Sequence, residues 1–160
     1  MSKPIKVVLA VALMLAAACA VVIFQKHQAQ SALRDLAVIG PQIASVTVYD
    51  LDGRSLDSNA LASAKSAPFP VEVFRKSCAS AIHESGPTLW KGSSLAVLTL
   101  SDGTTRRARF SYYGGFFTVD GASGRFVVMG GSSSEFHRLF LRLIQEQFVP
   151  RRHEQNNRNA

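Results

Sequence analysis

The sequence predicts an α+β protein in which a single N-terminal transmembrane helix and a helical stalk precede one small domain. Three patterns predict this: a long apolar run, a series of short strand-like segments separated by glycine turns, and an amphipathic helix near the C-terminus. The domain is therefore expected to be an antiparallel β-meander packed against that helix. We divide the chain into an anchor (1–24), a stalk (25–41), the domain (42–149) and a disordered basic tail (150–160).

Residues 7–24 are eighteen uncharged apolar residues, preceded by Lys3 and Lys6 and followed by Lys26. As an α-helix this run reaches about 27 Å, close to the roughly 30 Å thickness of a bilayer's hydrocarbon core. The N-terminal side carries a small excess of positive charge, which favours a cytoplasmic N-terminus. We therefore expect a signal anchor in contact with membrane lipid and a single-pass protein. Its domain would be extracytoplasmic, either periplasmic or at the cell surface.

A cleaved signal peptide and a lipoprotein lipidated at Cys19 stay open as alternatives to the uncleaved anchor. Residues 16–18 and 18–20 offer small-residue cleavage sites, but the apolar run continues to Phe24, further than a signal peptide requires. The two alanines before Cys19 resemble part of a bacterial lipobox. The leucine expected three positions before the cysteine stands one place too early, at Leu15.

The apolar spacing in residues 25–39 predicts that the membrane helix continues as an amphipathic stalk. Gly40 and Pro41 then form a strong helix stop. Such a stalk can pack on its own domain, on another membrane protein or on a second copy of the chain. A homo-oligomer through the stalk is therefore an open expectation.

One strand, one loop and one helix are predicted before the meander. Val46 and Val48 alternate with polar neighbours, which is typical of a strand, and a turn is expected at residues 52–53. Residues 58–69 read as a loop. A helix is predicted from Pro70 through about Glu84, where Gly86 and Pro87 would end it. On this helix the apolar stripe predicts that Cys78 is buried, and His83 falls on the opposite, solvated side.

Three turn signals divide the next section into a four-stranded antiparallel meander. They are residues 102–103, residues 114–115 and the looser segment 121–124. Turns of two residues would fix the strand register, so that Val97 faces Ala108 and Arg109 faces Asp120. One face of the sheet would then form the core, with Leu95, Val97, Ala108, Phe110, Tyr112, Phe117 and Val119. The other face would hold Leu98, Leu100, Arg107, Arg109, Ser111, Phe116, Thr118 and Asp120.

Arg107 and Arg109 are the candidate ligand-binding residues, because they project from neighbouring positions on one sheet face. Paired guanidinium groups bind carboxylates and phosphates. In the predicted register Asp120 would neutralise Arg109 as a cross-strand pair. An anion site and an ordinary solvated face are therefore both open.

The last predicted element is a helix that follows the segment Gly130 to Ser134. Ser132 and Glu135 have the spacing of a capping box, which explains the polar residues there without a phosphate ligand. His137 has no evident partner and is expected to be structural. The apolar side of the helix, expected to cover the core face of the meander, consists of Phe136, Leu139, Phe140, Leu143 and Ile144.

The motifs do not indicate catalysis, a cofactor or a metal. The serines at 132–134, the early aspartates and the scattered histidines lack the spacing that a nucleophile, a carboxylate pair or a metal cluster requires. The chain is basic, with 18 Lys+Arg against 11 Asp+Glu, but it carries no nucleic-acid-binding signature. We expect a non-enzymatic envelope protein that binds a partner protein as an accessory or assembly subunit. The alternative is an envelope domain that senses a small anion at Arg107 and Arg109.

Overall fold

The computed structural model describes residues 3–50, 58–84, 93–111, 115–128 and 134–148. It contains a long apolar N-terminal helix, a seven-stranded antiparallel sheet and a C-terminal helix, so the predicted α+β class is confirmed. The predictions for residues 52–53, for Tyr112, for Ser132 and for the tail 150–160 lie outside the described residues.

Helix α1 (Lys3–Ile39) runs without a break from the apolar segment into the domain. A 3₁₀ turn (Gly40–Gln42) follows at the predicted stop, with Pro41 near its start. By length and composition α1 is the one helix among the described residues that could cross a membrane. Its most apolar window has a mean hydropathy of 3.0 and is not buried by the rest of the chain. By contrast, Ala32, Leu36 and Ile39 are buried in the domain core.

Strand β1 (Ile43–Tyr49) buries Val46 and Val48, as the alternation predicted. The loop predicted for residues 58–69 is wrong. This segment forms a short helix, α2 (Ser58–Ser63), and a strand, β2 (Ser66–Phe69), that pairs antiparallel with β1. Ala67 and Phe69 are buried on the core side, and this burial together with the pairing outweighs the turn signal of the prolines.

Helix α3 (Val71–Ala79) is shorter than predicted. It ends where the Ser80 N–H donates to the Lys76 carbonyl, and the chain then forms strand β3 (Ile82–Glu84) at one edge of the sheet. The prediction of helix through Glu84 was wrong because pairing with a neighbouring strand overrides the helical spacing of Ala81 and Ile82. His83 is consequently half-buried against Phe126, 6.2 Å between ring centroids, instead of lying on a solvated helix face.

The four-stranded meander is confirmed, and its strands are neighbours in the sheet. They are β4 (Ser93–Leu100), β5 (Thr105–Ser111), β6 (Phe116–Val119) and β7 (Arg125–Val127). The full strand order is β2-β1-β4-β5-β6-β7-β3, so β1 pairs with β4 and β3 pairs with β7.

The predicted register between β4 and β5 is wrong by one residue. Thr99 lies opposite Thr105, which leaves a longer turn in which Gly103 adopts a φ of 83°. Asp102 supports this turn, because its Oδ1 accepts hydrogen bonds from the Thr104 N–H (2.8 Å) and hydroxyl (2.7 Å). These bonds also hold the pKa of the Asp102 carboxyl below its ordinary value.

A one-residue slip moves every side chain of β4 to the other face. The core face therefore receives Ala96, Leu98 and Leu100, which are all buried. Val97, which was predicted to be in the core, lies half-buried on the outer face opposite Arg107. Leu95 is buried, as predicted, at 1% exposed, but it lies on the outer face opposite Arg109.

The register between β5 and β6 differs from the prediction by two residues. Phe110 pairs with Phe117, and Arg109 pairs with Thr118. The predicted pair of Arg109 with Asp120 is therefore wrong. Since a shift of two residues preserves the faces, Phe110 and Phe117 still point into the core, as predicted.

Helix α4 (Glu135–Leu143) continues as a π-helical turn (Ile144–Phe148) and covers the core face of the sheet, as predicted. Its N-cap is Ser134, whose hydroxyl accepts from the His137 N–H at 3.1 Å, and not Ser132 of the predicted capping box. Aromatic rings fill the space between the helices and the sheet: Phe69, Phe74, Phe110, Phe117, Phe126, Phe136 and Phe140.

Burial of His137 makes the stability of the domain sensitive to acid. The buried position lowers the pKa of the imidazole below its ordinary value of 6.5, because desolvation disfavours the charged form. The unfolded chain therefore binds this proton at a higher pH than the folded chain does. Above about pH 6.5 the imidazole is neutral in both states and the free energy of unfolding is at its full value. As the pH falls below about 6.5, protonation of the unfolded chain lowers the free energy of unfolding.

We expect His137→Gln to flatten this pH dependence, which urea unfolding of the full chain in mild detergent at about pH 7 and pH 5 would measure. The exposed His27, replaced in the same way, serves as the control. An unchanged pH dependence in the His137 variant would contradict the prediction.

Candidate functional site

The outer face of the sheet carries the two arginines predicted as ligand-binding residues. Arg107 and Arg109 are both exposed and lie two positions apart on β5, so they project from the same face with their Cα atoms about 7 Å apart. Val97 and Leu95 lie opposite them on β4. On the other side, Thr118 of β6 lies opposite Arg109.

The observed register moves the carboxylate that was expected to neutralise Arg109, because Arg109 lies opposite Thr118 and Asp120 comes opposite Arg107. Asp120 lies in the turn after β6, and its backbone N–H donates to the Arg107 carbonyl at 2.8 Å. Within the part of the chain that the structure describes, no ion pair involves Arg107 or Arg109. Both side chains are exposed, and the β-strand fixes the spacing of their Cα atoms.

A third arginine lies on the same face of the sheet at β7. Arg125 alternates with the core residue Phe126, so it projects outward, and it lies opposite Glu84 of β3. Each side of the face therefore carries one carboxylate, Glu84 opposite Arg125 and Asp120 opposite Arg107, and no carboxylate lies opposite Arg109 among the described residues. The arrangement suits binding of a carboxylate or phosphate at β5.

The groups that could perform covalent chemistry do not converge at this face. Cys78 is buried on the core side, as the apolar stripe of α3 predicted, and burial raises the pKa of its thiol to about 12. Among the described residues no three His, Cys, Asp or Glu side chains are grouped to hold a metal ion. What the outer face offers chemically is charge and shape for binding.

A groove of about 560 Å³ lies between the end of α1 and α3. Leu36, Gly40 and Cys78 line its apolar part. The charges at its rim already have partners: Arg75 donates to Glu72 at 2.8 Å and to the Ile43 carbonyl at 2.9 Å. Lys76 at the same rim lies 3.6 Å from Glu135, so the charged groups that the structure describes here are already engaged with one another.

Sequence reasoning missed the environment of His83. Its Nδ1 is buried and has no hydrogen-bond partner among the described residues, and its ring lies against Gly124. A side chain on Gly124 would place Cβ 2.6 Å from His83 Nε2. Gly124 also has a φ of 95°, which favours glycine. The segment 121–124 was recognisable as a turn, but nothing in the sequence indicated that it packs on a histidine.

Gly124→Ala is expected to lower the free energy of unfolding by roughly 1–2 kcal/mol from the backbone conformation alone, with a further loss from the contact with His83. Gly103→Ala is the matched control, because Gly103 has a φ of 83° and nothing within 4 Å of the added Cβ. The difference between the two variants in urea unfolding isolates the contact. Equal losses in both variants would contradict the packing of His83 on Gly124.

Comparison with protein-family models, with curated proteins and with solved structures finds no match to this chain.

Proposed function

We propose that this chain is a single-pass membrane protein whose extracytoplasmic domain binds a partner protein as a non-enzymatic accessory or assembly subunit of a cell-envelope complex. One observation carries the proposal: α1 is at once the apolar segment and part of the domain core. The apolar window in the first part of α1 is exposed. Further along the same helix, Ala32, Leu36 and Ile39 are buried against the sheet and α3.

This continuity fixes the domain relative to its anchor. Between Ile5 and Ile39 the sequence has no glycine or proline, the residues at which helices commonly kink. A domain joined to the membrane by an unbroken helix has little freedom of reach or rotation. That geometry suits a subunit that presents one surface to a neighbour anchored in the same membrane.

Thiol labelling of intact cells tests on which side of the membrane the domain lies. Ser101 is exposed in the turn between β4 and β5, so Ser101→Cys in a Cys19→Ser background offers one accessible thiol. The buried Cys78 is retained as an internal control for folding, since it should react only after denaturation. Labelling of intact cells by a membrane-impermeant reagent supports the extracytoplasmic domain. Labelling only after lysis contradicts it.

Partner binding is tested by crosslinking of the full-length protein in its native membrane. The double variant Arg107→Ala with Arg109→Ala removes two exposed charges from the outer face. The control, Arg138→Ala with Arg142→Ala, removes two exposed charges from α4. Loss of one crosslinked species in the first variant only supports a protein partner on the outer face. Crosslinks between copies of this chain would identify a homo-oligomer, and a monomer without any partner would contradict the proposal.

The second candidate function is sensing of a small anion at Arg107 and Arg109. The observation that favours it is the pairing of Arg109 with Thr118 instead of Asp120, which leaves no carboxylate opposite Arg109, and neither guanidinium group forms an ion pair among the described residues. Thermal-shift measurements with phosphate and with dicarboxylates test this candidate. Stabilisation that disappears in the double alanine variant supports it, and an equal response in both proteins contradicts it.

A further inference from the structure

The contacts along the end of α1 follow the order of the strands in the sheet. The Ser101 N–H, in the turn after β4, donates to the Gln42 carbonyl at 2.7 Å. Gly121 follows β6, and a Cβ added to it would lie 3.9 Å from Ile39 Cδ1. The C-terminal end of α1 therefore lies beside the ends of the central strands.

Towards its N-terminus, α1 meets the start of β7. Ser123 donates through its hydroxyl to Asp35 Oδ2 at 3.0 Å. A Cβ on Gly124 would lie 3.6 Å from Ala32 Cβ. The strand beyond β7 is β3, which is the edge of the sheet and also contacts α1.

These contacts show that α1, followed from its C-terminal end towards its N-terminus, crosses the sheet from the side of β4 to the side of β7. From Ala32 to Ile39 the helix rises about 10 Å, and the 3₁₀ turn to Gln42 adds about 6 Å. From β4 to β7 the sheet spans three strand spacings, about 14 Å. One more spacing of about 5 Å brings β3 level with Ala29, which is the first half-buried residue of α1. The free edge of β3 therefore faces the direction in which α1 leaves the domain.

The height of β3 above the apolar run follows from the same helix. Phe24 is the last residue of that run, and Ala29 lies only five residues further on, a rise of about 7.5 Å. The headgroup layer on each side of a bilayer is about 5–7 Å thick. With residues 7–24 in the hydrocarbon core, the edge of β3 falls at the level of the headgroups.

Strand β3 presents Ile82 on the outer face of the sheet, opposite Val127, and the half-buried Glu84 opposite Arg125. Ile82 is 52% exposed and is the one exposed large apolar side chain that the structure describes outside α1. No described strand pairs with the outer side of β3. Exposed Lys26 lies about 3 Å beyond Phe24 along α1, at the level where cations are attracted to anionic headgroups.

We propose that the edge of β3, with Ile82 at its surface, lies in the lipid headgroup layer. The membrane surface then covers the edge of the sheet that faces it, and an uncovered edge is a site at which other chains pair. The proposal rests on the proposed function in one respect, which is that residues 7–24 span the bilayer.

The test uses the full-length chain, with Cys19→Ser, in nanodiscs of phosphatidylcholine and phosphatidylglycerol. An environment-sensitive fluorophore is attached at Ile82→Cys, at Ser101→Cys or at Val21→Cys. The Ser101 probe lies beside Gln42, at the end of the domain away from the apolar run, and is the matched control. The Val21 probe reports whether residues 7–24 lie in hydrocarbon. Lipids with a nitroxide on the headgroup quench probes at the membrane surface.

We expect quenching at residue 82 to be several-fold stronger than at residue 101, with a blue-shifted emission. If the Val21 emission reports hydrocarbon and residue 82 responds like residue 101, the proposal for β3 is overturned and the anchor stands. A water-exposed Val21 probe contradicts the anchor itself. Protection of residue 82 in native membranes but not in pure-lipid nanodiscs overturns the lipid contact in favour of a protein on this edge.

Discussion

Phe74→Ala is expected to lower the free energy of unfolding by about 3–5 kcal/mol, the range for removing a fully buried phenylalanine. Phe74 is 0% exposed and joins α3 to the sheet and to α4. Its ring centroid lies 5.7 Å from that of Phe110 and 5.8 Å from that of Phe117 in the sheet. The Phe136 centroid of α4 is also 5.8 Å away. The cavity would therefore open at the junction of three elements.

Phe116→Ala is the matched control, because Phe116 is half-buried on the outer face of the same sheet. Urea unfolding of the full chain in mild detergent, followed by near-ultraviolet circular dichroism, measures both losses. A Phe74 variant that loses no more stability than the Phe116 variant would show that α3 does not pack on the sheet as described.

Leu36→Asp is expected to cost about 3–5 kcal/mol, the range for a buried charge without a partner. Leu36 is 0% exposed and belongs to the core cluster that joins α1 to the domain. The same measurement in urea detects the loss. The change also tests whether α1 is part of the folded unit, since it lies well outside the apolar run.

Val38→Asp is the control for this variant. Val38 lies two residues further along the same helix and is 61% exposed, so its carboxylate stays in water. We expect little change in the free energy of unfolding for it. Comparable losses at the two positions would contradict the docking of α1 on the domain.

The elements with strong internal periodicity were predictable from the sequence. Strand β1 alternates at Val46 and Val48, and α4 repeats apolar residues at helical spacing, so each carries its own signal. The edge strands β2 and β3 are four and three residues long and carry no such signal. They form because β1 and β7 supply pairing partners, which a local pattern does not contain.

The register of the meander depended on the length of its turns. Residues 102–103 resemble a two-residue turn, but the hydrogen bonds from Thr104 to Asp102 lengthen it. That difference of one residue moved Leu98 into the core and Val97 out of it.

For the candidate site, the shared face of the two arginines was predictable from the sequence, and their cross-strand partners were not. Arg107 and Arg109 share an exposed face because alternation within β5 does not depend on its neighbours. Their cross-strand partners do depend on register, so Thr118 and not Asp120 lies opposite Arg109.

Pro68 has a consequence for the edge of the sheet that β2 forms, at the opposite end of the strand order from β3. The Asp50 N–H donates to the Lys65 carbonyl, and hydrogen-bonded pairs alternate along an antiparallel ladder, so Pro68 and Thr47 form a non-hydrogen-bonded pair. The Pro68 nitrogen therefore faces outward, where it has no hydrogen to donate. A strand arriving from a neighbouring molecule would leave one of its carbonyls without a partner at this position. At high local concentration the sheets of neighbouring copies are thereby hindered from joining into larger ones.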